Sequence, residues 1–337
     1  MRLELSNQVE AAQGGRIVRL SQPFGLCKLF RPLPKSAGPR PPLNEEYEYG
    51  DTLLFRFSAR EALGAPEQTL LLALLELAYE QHRRNPGEVS LDGRNRSELA
   101  IELWSALNSN VPNWQAAAQP TVMLSCTWSE LHRRCGAESV GGTVTDSRRA
   151  SLVRLCEVTV WETNKATRAV RSGRLVSWRL GDDQRVHVAL NHRLATALLG
   201  PGYAKVALSE RLSLGSNIAM LVHAFLSSCL SPNRTMQIAF ETLAERFWPM
   251  SSVPANPSTH RRRLSDIRAA LRAIGRLDGW QVELKGAKAT VHRRAAGDWA
   301  AGQSEQPVQG FERVRPSLRQ DSARDMTSTG LLAPTEN

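Results

Sequence analysis

The chain has 337 residues, 43 Lys+Arg against 33 Asp+Glu, and a formal net charge of +10. No run of about 18 apolar residues is present, which excludes a transmembrane helix, and Met1–Glu10, with two Glu and no apolar stretch behind it, is not expected to act as a secretory signal. Five widely spaced Cys, an odd number, point to a reduced, cytoplasmic protein rather than a disulfide framework.

Residues 1–44 carry +5 and hold five Pro between positions 31 and 42, so they are expected to form a flexible basic arm and Pro-rich linker. Residues 45–132 carry −7 and form an acidic shoulder, expected to face away from a polyanion and to offer a protein-contact surface. Within them Thr52–Phe57 alternates as a strand, and Pro66 opens a helix with Leu70, Leu71, Leu74, Leu75 and Ala78 at helical spacing. The stretch 81–120 has no clear period. Val122–Ser125 reads as a strand, and Thr127, with Glu130 three residues on, caps a helix that Gly136 ends.

Residues 133–179 carry +6. Asp146 is expected to cap a second helix running to Cys156, with Leu152, Leu155 and Cys156 turned inward. Val158–Glu162 and Leu175–Leu180 are β-rich, and the polar loop 163–174 between them is read as a wing; Arg185–Leu190 follows the turn Gly181-Asp182-Asp183. Residues 180–256 are almost neutral: a strand over Tyr203–Ala207, a long helix capped by Ser209 and reaching Leu230, and a short helix over Phe240–Phe247. Residues 257–294 carry +7, in a helix over Ser258–Arg276 and a hairpin pairing Trp280–Leu284 with Ala289–His292. The tail 295–337, rich in Gly, Gln, Ser, Pro and Thr, is expected to be disordered.

Each half thus reads strand, helix, helix, basic helix, β-hairpin. That order predicts an α+β protein with two tandem winged-helix (winged helix-turn-helix) domains, 45–200 and 201–294, between the flexible arm and the tail.

The densest chemistry lies in Ser258–Arg276. At 100° per residue Leu264, Ile267, Leu271 and Ile274 share a packing stripe. Arg261, Arg268 and Arg272, with Ser265 among them, share an adjoining face, and Arg262 and Arg276 lie slightly further round. The planar Arg fork binds phosphate oxygens or guanine O6/N7 bidentately. Ser258, Thr259 and His260 offer short donors at the helix start, where an anion is favoured, and Lys285 and Lys288 flank the hairpin turn. The first domain has a weaker version. Arg148, Arg149 and Arg154 sit on its basic helix with Ser147 and Ser151, of which Ser147, Ser151 and Arg154 face away from the buried stripe. The acid-free loop carries Lys165, Arg168, Arg171 and Arg174, cations that position a duplex rather than read it.

Motifs of enzyme chemistry are missing: there is no G-x-x-x-x-G-K-[ST], no G-x-G-x-x-G after a strand, no C-x-x-C and no H-E-x-x-H. No catalytic residue, metal or cofactor is therefore expected. His187 and His192 read as a strand residue and a helix start. Trp161, Trp178 and Trp280 lie in β runs and are assigned to packing.

Over residues 45–294 the chain resembles the replication initiator protein C (RepC) family of IncQ-type broad-host-range plasmids. The resemblance rests on Tyr47-Glu48-Tyr49-Gly50-Asp51 with Phe57-Ser58 and Leu63-Gly64-Ala65, and on Val186-His187-Val188-Ala189-Leu190-Asn191 with Gly200. Trp248-Pro249 and the Arg261-Arg262-Arg263 helix closing on Gly279-Trp280 complete it. It implies an initiator that binds direct repeats (iterons) of double-stranded DNA at a replication origin, helps to melt the adjacent duplex, and cooperates with a plasmid-encoded hexameric helicase and a primase. It puts that family's C-terminal recognition helix on 258–276 and its first-domain counterpart on 146–157. A homodimer off DNA is expected by analogy. A winged-helix transcriptional repressor, or a partition protein that coats DNA without sequence preference, stays open as an alternative.

Overall fold

The segment expected to be a mobile arm is folded from Arg16 onward. The computed structural model describes residues 16–33, 38–85, 90–91, 97–108, 121–138, 141–248 and 256–294, and the expected disordered tail lies outside them. In chain order they form β1 (Ile17–Ser21), α1 (Gln22–Leu26), β2 (Leu43–Tyr49), β3 (Leu53–Ala59), α2 (Ala65–Arg84), β4 (Ser90–Leu91) and α3 (Glu98–Leu107). These are followed by β5 (Thr121–Cys126), α4 (Trp128–Arg134), α5 (Gly142–Glu157), β6 (Thr159–Asn164), β7 (Val170–Arg174), β8 (Val176–Leu180) and β9 (Val186–Leu190). After α6 (His192–Leu199) come β10 (Tyr203–Ala207), α7 (Leu208–Ser213), α8 (Asn217–Cys229), β11 (Arg234–Ala239), α9 (Phe240–Phe247), α10 (Pro257–Ile274), β12 (Trp280–Lys285) and β13 (Lys288–Arg293).

The helix opened by Pro66 is α2. Its expected stripe is buried, and so are Leu72, Ala73 and Leu77 on its other sides. A helix apolar all round belongs in the middle of a protein, and α2 is packed by β1, β5, α5, α6 and α8. A carboxylate at its start, Glu67, is also buried. Glu67 accepts from the Gly64 N–H at 2.8 Å and the Ser151 hydroxyl at 3.1 Å, and pairs with Arg40 at 3.0 Å and Arg154 at 3.1 Å.

One arrangement occurs twice. The order α2, β5, α4, α5, β8, β9 recurs as α8, β11, α9, α10, β12, β13. In each case the last strand sits in the middle of an antiparallel sheet, β5-β9-β8 and β11-β13-β12. The first copy adds β4 at the β5 edge, and between α5 and β8 it carries an extra hairpin, β6–β7. That hairpin joins a separate antiparallel sheet, β2-β3-β6-β7. The basic loop 163–174 therefore belongs to this second sheet, and Val170–Arg174 is itself a strand. The hairpin equivalent to β12–β13 is β8–β9, whose turn holds Asp182 and Asp183.

Two further boundaries differ from expectation. The helix that Asp146 was expected to cap begins at Gly142 with Gly141 as its cap, so Asp146 lies inside it. The long helix from Ser209 is two helices, broken at Leu214–Ser216, and Ser216 caps the second by accepting from the Ala219 N–H at 3.2 Å. Thr127 caps α4 as expected, accepting from the Glu130 N–H at 3.1 Å. The strand β11 has no counterpart in the sequence reading.

Residues 16–33 bind the two repeats to each other. β1 pairs antiparallel with β10, which connects the repeats, and Arg16 forms a bidentate pair with Glu76 of α2. The Arg19 guanidinium lies between the rings of Tyr79 and Tyr203, 4.4 Å from each centroid. From the other side, Arg246 of α9 donates to the carbonyls of Gly25 at 3.1 Å and Cys27 at 2.6 Å. Gly25 packs so closely on α8 that a Cβ there would stand 1.9 Å from Ser228 Oγ. Arg211 of α7 is fully buried and donates to Thr69 Oγ1 (2.6 Å), Gln68 Oε1 (2.9 Å) and the Ala65 carbonyl (3.3 Å) of α2. Its partners are all neutral, and burial pulls its pKa down to about 9. The apolar core runs without a break through both repeats and this strap.

Candidate nucleic-acid interface

α10 is set by its own sequence. Asn256 caps it, its Oδ1 accepting from the Ser258 N–H at 3.0 Å, and Pro257 takes the first turn, where no N–H is needed. Ile267, Ala270, Leu271 and Ile274 are buried and hold the helix on its module; Leu264 is half-buried. The opposite side is exposed at Ser258, Arg261, Arg262, Ser265, Ala269 and Arg272, and at Arg276 just past the helix end. Among the described residues no carboxylate pairs with Arg261, Arg262, Arg272 or Arg276. They are cations with open forks.

Two expected members of this face are partly engaged. Arg268 is half-buried with its guanidinium 4.7 Å from the Phe240 ring centroid, at the flank. His260 pairs with Glu241 at 3.1 Å. Thr259 is exposed, and the Ser258 hydroxyl donates to Asn256 Oδ1 at 3.1 Å as part of the cap. Lys285 and Lys288 are exposed on either side of the β12–β13 turn, where Gly286 takes φ +58°, a conformation that favours glycine.

The first repeat differs. Ser151 is 2% exposed and bonded to Glu67, and Arg154 is held by Glu61 at 2.7 Å as well as by Glu67, so neither is available to a ligand. Helical periodicity placed both outward. The buried Glu67 on α2 draws them in, because an unpartnered carboxylate there would cost several kcal/mol. What α5 does present is Asp146, Ser147, Arg149 and Val153, with Arg148 half-buried beside His132 and Cys135. In the β6–β7 hairpin Arg174 is also structural, donating to the Glu157 carbonyl at 2.9 Å and Thr159 Oγ1 at 3.0 Å. Lys165 pairs with Glu48 at 3.0 Å, an exposed pair of little energetic weight, and Arg168 and Arg171 are exposed.

The acidic shoulder is internal only in part, with Glu46, Glu48, Asp51, Glu98 and Glu102 exposed. Glu67 and Glu76 are buried, and Glu61 and Glu80 are tied to Arg154 and Arg134. Several of the partners are arginines of the supposed arm, Arg16, Arg31 and Arg40. Segment charges therefore overstated both the free positive charge of the arm and the free negative charge of 45–132.

No group of three or more metal-ligating side chains occurs among the described residues. All five thiols are unpaired, and burial pushes Cys27, Cys126, Cys156 and Cys229 up to about 12, far from a reactive thiolate. His187 lies in β9 and His192 opens α6, as the sequence suggested. Trp280 is buried, with its indole N–H on Glu210 at 2.9 Å, whereas Trp161 and Trp178 are half-buried.

The family model of replication protein C (RepC) matches residues 23–294. The chain belongs to the replication protein C family. In this RepC-family chain the match starts inside α1 and ends one residue after β13, so it takes in most of the strap and both repeats. Two crystal structures of domains 2 and 3 of RctB, one a selenomethionine derivative, align with TM-scores of 0.44 and 0.43 at 11% identity. They cover 77% and 78% of this chain and 94% of theirs. No curated protein sequence matches.

Proposed function

We propose that this RepC-family protein is a plasmid replication initiator of the IncQ type. It binds direct repeats at the origin, promotes opening of the adjacent duplex, and brings in a hexameric helicase and a primase. In this reading both repeats are winged helices. α10 is the recognition helix in the major groove, and the Lys285–Lys288 turn is the wing on the backbone. The reading is supported by one observation above the rest. α10 buries its apolar side on its own module and leaves Arg261, Arg262, Arg272 and Arg276 exposed without counter-charges among the described residues, next to a lysine-flanked hairpin turn. Cations kept free in this way are matched to phosphate and guanine edges. The protein acts by binding and has no catalytic activity of its own; off DNA it forms a homodimer.

The test is a gel shift of the full chain against a tandem-repeat array from its own replicon, with scrambled duplex as competitor. Retention of the repeat array in excess competitor is expected. Equal competition by scrambled duplex overturns the reading in favour of a non-specific coat, and binding confined to a promoter makes the protein a repressor.

A further inference from the structure

The exposed face of α10 has an internal order that its overall charge hides. At 100° per residue Ser258, Ser265 and Ala269 lie within about 20° of one line along the helix. Arg261 and Arg272 lie about 40–60° to one side of that line and Arg262 about 40° to the other. Within the helix short side chains occupy the centre and long cations the flanks; Arg276, which falls on the same central line, lies past the helix end. Ala269 is exposed, although its helical neighbours Ala270 and Leu271 are buried. The Ser258 hydroxyl is committed to the cap, which leaves Ser265 and Ala269 as the central pair.

We propose that Ala269 and Ser265 are the specificity-determining residues of this helix and that Ala269 packs on the C5 methyl group of a thymine. This rests on α10 entering a major groove. Arginines on the two flanks reach outward to the phosphates on either side, which lets the backbone of the helix come close to the base edges. At that depth only a short side chain fits, and the apolar feature of the major-groove code that complements a methyl group is the thymine methyl. Ser265, one turn away, offers a hydroxyl that accepts or donates at the neighbouring base pair. The arginines then contribute affinity in a sequence-independent way, and Arg268, stacked on Phe240, contributes least to base reading.

The experiment uses the full chain and the consensus duplex that it selects from a random-sequence pool. Each thymine of that duplex is replaced singly by deoxyuridine, which removes only the methyl group. At one or two positions binding should weaken about four-fold, the effect of one buried methyl. In Ala269→Gly, thymine and deoxyuridine at those positions should bind equally, while the remaining positions respond as before. If glycine loosens the helix, seen as a fall in melting temperature, Ala269→Ser replaces the methyl with a hydroxymethyl group and should likewise reduce the discrimination. Tolerance of deoxyuridine at every position, or discrimination unchanged in both variants, overturns the inference. A pool from which no sequence is enriched removes the DNA-reading function itself, and with it the inference.

Discussion

Glu67 accepts from four donors taken from three separate stretches of chain: Gly64 and Ser151, Arg40 and Arg154. Such a carboxylate shapes its surroundings, because each partner must turn toward it. Arg154→Ala should therefore lower stability by roughly 3 kcal/mol in urea unfolding while leaving the salt dependence of DNA binding unchanged. Arg261→Ala and Arg272→Ala should do the reverse, each reducing the slope of log affinity against log salt by about one with little change in the unfolding midpoint. A second buried carboxylate gives a pH signature. Burial alone would raise the pKa of Glu162, but hydrogen bonds from His192 and Arg193 outweigh it and hold the group down at about 2. A folded-state pKa below the unfolded one means stability that is present above about pH 4.5 and lost as pH falls toward 2. The shift is equivalent to roughly 3 kcal/mol. Glu162→Gln should be less stable at pH 7 and should show a flatter loss of stability between pH 5 and 2 in acid titrations followed by circular dichroism.

α10 and α5 occupy equivalent places in the two repeats and present different chemistry. Past its first turn the exposed residues of α10 are Arg261, Arg262, Ser265, Ala269 and Arg272; on α5 they include Asp146 and Val153. The hairpins that follow are also unlike, with lysines at the β12–β13 turn and Asp182 and Asp183 at the β8–β9 turn. Charge reversal should distinguish the two elements. Lys285→Glu with Lys288→Glu should lower DNA affinity and reduce the salt slope by about two, measured by fluorescence anisotropy between 50 and 200 mM salt. Asp182→Asn with Asp183→Asn should leave the slope where it is. The cap of α4 and the apolar spacing of α10 were legible because they are local: Thr127 caps at three residues' distance, and Leu264, Ile267, Leu271 and Ile274 recur at helical spacing, whereas the Asn256–Pro257 start of α10 was not read. The break between α7 and α8 is set by Ser216, a cap inside an apolar stretch that periodicity alone ran straight through. Which hairpin of the first repeat corresponds to β12–β13 was not legible, because two successive hairpins follow α5 and only strand pairing separates β6–β7 from β8–β9.

At the scale of the whole molecule the strap over residues 16–33 controls how the repeats are placed. It supplies β1 to β10, Arg16 to Glu76, the Arg19 stack between Tyr79 and Tyr203, and the carbonyls that Arg246 holds. Arg246 is itself stacked 4.2 Å from the Phe225 centroid, so its removal leaves both a cavity and unpaired carbonyls. Arg246→Ala should lower the melting temperature and increase proteolytic cleavage between β1 and α2. Deletion of residues 1–33 should produce aggregation through exposed β10 and α8; a chain that stays soluble and loses only DNA affinity would overturn the strap and restore the flexible basic arm expected from the sequence.

Taken alone, the sequence determined the helices that carry their own caps and apolar stripes, the basic character of α10, the hairpin at the C-terminal end of the described fold, and the resemblance that the family match bears out at the level of replication protein C. These depend on residues three to seven positions apart, where side-chain chemistry acts directly. Tertiary structure decided which charges are free. Arg16, Arg40 and Arg154 look the same as Arg261 and Arg272 in a count of cations, yet the first three are paired with Glu76, Glu67 and Glu61. Opposite charges more than 20 residues apart meet only when burying α2 brings them together, so the same guanidinium is a strut in one place and an open contact in another.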